Sequence, residues 1–114
     1  MKRTAIAFVD LIVLVVFVVI GLHSHGHQET VRSIADVWAP FAVGSLVADT
    51  LVARRYQPAT WIYGLCAAWV TVACAMVIRS ANGQGTGVAF SIVATLFVSL
   101  FFVGWRVAWS RLRR

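Results

Sequence analysis

The sequence predicts an all-α protein, an antiparallel four-helix transmembrane bundle, and three observations carry that expectation. Hydrophobic residues make up 61% of the 114 positions and charged residues 12%, against about 45–50% and 25% in soluble domains. Such a chain lacks the polar groups to cover a water-facing surface, so lipid is the expected solvent. The apolar residues fall into four stretches of membrane-spanning length, at residues 4–22, 37–53, 59–78 and 87–105. Helix is the form expected for each, because four strands cannot close a barrel and would leave backbone groups unpaired in hydrocarbon. The third observation is the placement of arginine, which orients the whole. Residues 1–114 are read as a single integral membrane domain.

The first span follows Met1-Lys2-Arg3 and resembles a secretory signal only in outline. Its apolar run is too long, and no small-x-small cleavage site follows it, so it is expected to remain as a helix. A polar loop then precedes the second span, in which Pro40 is expected near the helix start, where a missing N–H costs little. Arg54-Arg55-Tyr56-Gln57-Pro58 reads as a tight turn, with Pro58 suited to opening the third helix. "SANGQGTG", residues 80–87, reads as a flexible turn with Thr86 placed to cap the fourth helix. Loops this short make sequential helices antiparallel neighbours.

Lys2, Arg3, Arg54, Arg55, Arg106, Arg111, Arg113 and Arg114 all fall on one side of such a bundle, and Arg32 and Arg79 on the other. Lysine and arginine in short loops stay cytoplasmic, so the expected location is the inner (cell) membrane, with both termini cytoplasmic. This asymmetry accounts for the net charge of +6 as a topology signal. No module of interleaved basic and aromatic residues marks a nucleic-acid partner. The C-terminal "RVAWSRLRR" is a candidate for holding anionic lipid. Tyr56, Trp61, Tyr63, Trp105 and Trp109 gather at the cytoplasmic interface and Trp38 at the outer one, as an aromatic belt would.

The helix faces follow from spacing. In the third span Thr60, Gly64, Ala67, Thr71 and Ala75 form a small-residue face expected to pack inward. Trp61, Leu65, Trp69, Val72 and Met76 form a bulky face, with Trp69 at mid-bilayer facing either lipid or a second copy. Cys66 and Cys74 lie about 12 Å apart along that helix, too far for a mutual disulfide. Ser91, Thr95 and Ser99 recur every four residues on the fourth span. Ser45 shares a face of the second with Trp38, Ala42 and Asp49, completing a polar packing seam.

The costly residues are Asp10 and Asp49, both roughly 6–9 Å inside the cytoplasmic edge. An ionised carboxylate in lipid costs about 3 kcal/mol or more, so both are expected to face the interior. Arg106 is the natural partner and Arg54 a second. The expected site is therefore a buried cluster of Asp10, Asp49 and Arg106, acting either as a latch that fixes helix register or as a proton or ion relay. Asp36 and Arg79 are expected to pair weakly on the outer face. His23, His25 and His27 alternate in "GLHSHGHQET", and neutral imidazoles bind zinc, copper or nickel. A closed site wants four ligands and only Glu29 lies near, so a solvated loop is favoured over a metal site. No cofactor is expected.

The stretches "DLIVLVVFVVIGLHSHG", "WAPFAVG" and "GTGVAFSIVATLFVSLFFVGWR" resemble the domain-of-unknown-function 3054 family of bacterial and archaeal membrane proteins. The resemblance covers nearly the whole chain and is densest at residues 85–106. It implies four spans and no assigned activity. Asp10 and Arg106 fall in matching segments, whereas His23 and His27 lie outside the pattern.

No activated nucleophile, phosphate loop or pair of catalytic acids in a cleft is present in the sequence, so an enzyme is not expected. Two function classes remain. One is an interaction or assembly component of the membrane, as a homo-oligomer or with a membrane-protein partner. The other is a small oligomeric transporter or proton- or ion-coupled carrier.

Overall fold

A computed structural model describes residues 2–24, 31–83 and 87–112. Four helices follow one another: α1 (Arg3–Ser24), α2 (Val31–Val52), α3 (Trp61–Ala81) and α4 (Val88–Leu112). At about 1.5 Å per residue, their 21 to 25 residues span about 31–38 Å, against a hydrocarbon core of about 30 Å. Each is long and apolar enough to cross a membrane. Each helix packs on the next, and α4 returns to α1 along the least intimate seam. The bundle thus has one end bearing the chain termini and the α2–α3 turn, and a remote end bearing the other two connections.

The helices run further than hydropathy alone predicts. α2 begins six residues before the expected boundary, because Val31–Asp36 continues the helical path although its residues are polar enough for an interface. Pro40 consequently lies within α2, not near its start. Its ring costs one i to i−4 hydrogen bond, a loss that packed membrane helices tolerate. α4 likewise continues to Leu112, carrying Arg111 with it. Thr86 lies outside the described residues.

Turn chemistry explains the entry to α3. Thr60 is its N-cap, accepting from the Tyr63 N–H at 3.4 Å while donating to the Gln57 carbonyl at 2.7 Å. Pro58 lies two residues ahead of that cap, in the turn. At the far end Asn82 and Gly83 donate back to the carbonyls of Ile78 and Ser80. Gly83 takes φ 73°, the left-handed conformation that closes many helices.

Packing follows the small-residue face of α3. Gly64, Ala67, Thr71 and Ala75 are buried, and a Cβ on Gly44 of α2 would lie 2.5 Å from the Thr71 carbonyl oxygen. Backbones therefore meet directly between α2 and α3. Val72, expected on the bulky face, is buried as well, because α3 is flanked by both α2 and α4 and its buried arc exceeds one narrow stripe. Leu14, Phe41, Ala48, Ala68, Val98 and Phe102 are fully enclosed. Phe17 meets Phe41 edge to face at 5.4 Å.

Trp38 is half-buried. Its indole N–H crosses from α2 to donate to the Leu11 carbonyl of α1 at 3.1 Å. Trp38→Phe is expected to lower stability by about 1 kcal/mol, read from unfolding midpoints in detergent. An unchanged midpoint would show that the bond contributes nothing.

Candidate functional site

The site lies near the end of the bundle that bears the chain termini. Asp10 projects from the third turn of α1 and Arg106 from the last third of α4, and the two are 96 residues apart in sequence. They form a two-pronged pair: Arg106 Nη1 donates to Asp10 Oδ1 at 2.9 Å and Nη2 to Oδ2 at 2.7 Å. Both side chains are fully buried. The planar guanidinium fork suits such a carboxylate, and the pair joins α1 to α4 across their otherwise loose seam.

Two further donors of Arg106 are also used. Nε donates to the Pro58 carbonyl at 2.7 Å, and Nη1 donates further to the Phe102 carbonyl at 3.0 Å. Pro58 sits in a turn outside any helix, so its carbonyl is available to a side chain. One guanidinium thereby ties α1, the α2–α3 turn and α4 together. Asp10 Oδ1 accepts a second bond, from Trp105 Nε1 at 2.9 Å. The rings of Trp105, Tyr63 and Phe102 surround the cation with centroids 4.7, 5.3 and 5.6 Å from its central carbon. This is how a charge too costly for hydrocarbon is held there: paired, hydrogen-bonded and faced by π-systems.

Gly64 makes the arrangement possible. A Cβ there would fall 2.9 Å from both Arg106 Cδ and the Phe102 carbonyl oxygen. Only a glycine lets the arginine stem and the α4 backbone lie this close to α3.

Asp49 stands differently from the expectation. It does not bond Arg106; its Oδ1 accepts from the Tyr63 hydroxyl at 2.8 Å. Tyr63 intervenes, with its ring toward Arg106 and its hydroxyl on Asp49, so the three charges are connected through an aromatic. Asp49 Oδ2 is buried without a hydrogen-bond partner. It borders a cavity of about 230 Å³ that Arg3, Thr4, Ala53, Pro58 and Tyr63 also line. Arg54, the second candidate partner, is exposed.

Tyr63 and Trp105 are the functional residues that the belt reading missed. Tyr63 is 1% exposed, and Trp105 spends its indole N–H on Asp10. A usable signal was present: a buried carboxylate needs more donors than one arginine supplies, and Trp105 adjoins that arginine in sequence.

Two residues of the polar seam bond to carbonyls four residues back along α4. Ser45 is buried; Thr95 donates to the Ser91 carbonyl at 2.8 Å, and Ser91 reaches the Gly87 carbonyl and the Met76 sulfur. The Ser99 hydroxyl is buried with no partner. On a helix, serine and threonine find the carbonyl four residues back more readily than a neighbour. Asp36 sits on the exposed side of α2, while Arg79 lies half-buried near the end of α3 with its guanidinium 4.8 Å from the Phe90 ring centre. His23 is exposed, and His25 and His27 lie outside the described residues. Among the described residues no three His, Cys, Asp or Glu side chains gather as a metal-ligand set.

Four membrane-length helices, short turns and a closed interior charge pair define a small polytopic helical bundle of membrane type. The family model described as "Protein of unknown function (DUF3054)" matches residues 7–109. The chain belongs to that family. No curated protein and no solved structure matches it.

Proposed function

We propose that this protein is a non-catalytic interaction or assembly component of the inner membrane, with both termini cytoplasmic. The carrying observation is the closure of its central pair. Asp10 and Arg106 leave no exposed surface, and both carboxylate oxygens are bonded. A group that carries protons or ions must exchange partners, whereas this pair is enclosed and bonded through both carboxylate oxygens, which favours a latch that holds α1 against α4. The cytoplasmic placement of the termini rests on the excess of arginine at that end.

Trp69 supplies the surface for assembly. It lies near the middle of α3 and is 62% exposed, at a depth where an indole N–H finds no water. The occupant of that face is a second copy or a membrane-protein partner. Arg111 and the last residues of the chain would rest on anionic headgroups. Gentle extraction followed by native mass spectrometry tests this reading. A discrete oligomer or complex is expected for the wild type, with about tenfold weaker association for Trp69→Ala, the scale of an interface hot spot. A wild-type chain that always emerges alone would refute it.

One observation favours the coupled-carrier reading: Asp49 Oδ2 is buried, without a partner, beside a cavity near the terminal end. Difference infrared titration of the wild type against Asp49→Asn distinguishes the two. A carboxyl band that titrates between about pH 5 and 9 and vanishes in the variant supports coupling. A band absent from that range in both leaves the assembly reading alone.

A further inference from the structure

The latch between Asp10 and Arg106 makes no use of Asp49. Oδ1 of Asp49 accepts from the Tyr63 hydroxyl at 2.8 Å, whereas its Oδ2 is buried and no donor among the described residues reaches it, Arg3 included. A carboxylate oxygen left bare in a buried place costs more than a typical hydrogen bond returns. That oxygen borders the cavity of about 230 Å³ between the start of α1, the end of α2 and the α2–α3 turn. The space is smaller than the roughly 300–1,000 Å³ of drug-sized pockets, so a ligand there is small.

The charges on the cavity wall define what fits. Asp49 lies three residues inside the end of α2, about 4–5 Å along the axis. Arg3, the first residue of α1, lines the same space and is exposed, so it forms the rim. Among the described lining residues these are the only two charges, and the nearby Asp10 and Arg106 neutralise each other behind Tyr63. A hard metal cation takes about six oxygens or more. The wall offers it Asp49, the hydroxyls of Thr4 and Tyr63 and a Pro58 carbonyl already spent on Arg106, beside a guanidinium that repels it. An amine without an acid meets the same repulsion, and an acid without an amine meets Asp49. A molecule carrying both charges satisfies both ends. Its ammonium has three donors for Asp49 Oδ2 and the Tyr63 oxygen, and its acidic group suits the guanidinium fork. The order of the charges also separates a free molecule from a phosphatidylethanolamine head. In that lipid the phosphate lies between the ammonium and the acyl chains, so an ammonium on Asp49 would send the chains out past Arg3 into water.

We propose that this cavity binds a small free zwitterion, its ammonium on Asp49 Oδ2 and the Tyr63 hydroxyl oxygen and its acidic group on Arg3. The site goes beyond the assembly reading, since it needs no partner at Trp69. It shares Asp49 with the carrier reading but requires neither a titrating carboxyl nor transport, so binding and the infrared band can fail separately. Calorimetry on the full-length chain in detergent tests it, with glycine, 4-aminobutyrate, n-butylamine and butyrate as probes. At least one of the two zwitterions is expected to bind about ten-fold more tightly than either singly charged probe, the scale of one charge-assisted hydrogen bond. Asp49→Asn keeps an acceptor for Tyr63, and Arg3→Gln changes an exposed position. Each should weaken binding about ten-fold. No heat from either zwitterion overturns the proposal, as does a singly charged probe that binds equally well. Affinity unchanged in either variant overturns it too. Phosphatidylethanolamine found on the purified chain by native mass spectrometry, and lost from Asp49→Asn, would assign the site to a lipid head and overturn the free-ligand proposal.

Discussion

Asp10→Ala is expected to lower stability by about 3–5 kcal/mol, the largest effect of any single substitution in this chain. The cost is not the loss of a favourable contact so much as the condition in which Arg106 is left. Its side chain is fully buried, so removal of the carboxylate strands a cation in a medium that hydrates it poorly. The Pro58 and Phe102 carbonyls would remain as its only oxygen partners. Trp105 Nε1 would also lose its acceptor. Arg106→Lys is expected to fall only a little short of this, because an ammonium supplies neither the two-pronged grip on Asp10 nor a separate Nε bond to Pro58. Unfolding of purified protein in detergent measures both. An Asp10→Ala protein as stable as the wild type would mean that the pair contributes nothing.

Gly44→Ala is expected to cost about 1–3 kcal/mol, an unusual result for the addition of one methyl group to a helix. The new Cβ would lie 2.5 Å from the Thr71 carbonyl oxygen. That atom belongs to the backbone and cannot rotate away, so α2 and α3 must separate. Gly64→Ala should behave similarly, and its strain falls on Arg106 directly. Gly104→Ala provides the contrast. Its Cβ would meet nothing within 4 Å, and alanine favours helix over glycine by about 1 kcal/mol, so that variant should be no less stable than the wild type. A melting series in detergent that ranks Gly44→Ala level with Gly104→Ala would rule out close α2–α3 approach.

Hydropathy made the four helices legible, because lipid demands long uninterrupted apolar runs. Their ends were less so. Val31–Asp36 carries an arginine and an aspartate, which reads as loop, yet a helix that leaves the hydrocarbon keeps its backbone bonds in the polar zone. Pro40 misled for the same reason, since its distance from the helix start depends on where that start is. The Asp10–Arg106 pairing was legible because each charge is too costly to stand alone. Asp49 was not separable from it by depth: the residue that diverts it, Tyr63, has the composition of an interfacial belt residue. Only the packing of α3 against α4, allowed by Gly64, turns that ring inward.

A double-mutant cycle between positions 10 and 106 tests the central claim most directly. Asp10→Leu, Arg106→Met and the double variant are compared by reversible unfolding in detergent. The pair as described predicts a coupling of about 3 kcal/mol or more, with the double variant nearly as stable as the wild type because it strands no charge. The corresponding cycle between Asp49 and Arg106 should give a much smaller value, since Tyr63 stands between them. A coupling between 10 and 106 below about 0.5 kcal/mol, the scale of a solvent-exposed ion pair, would contradict the account.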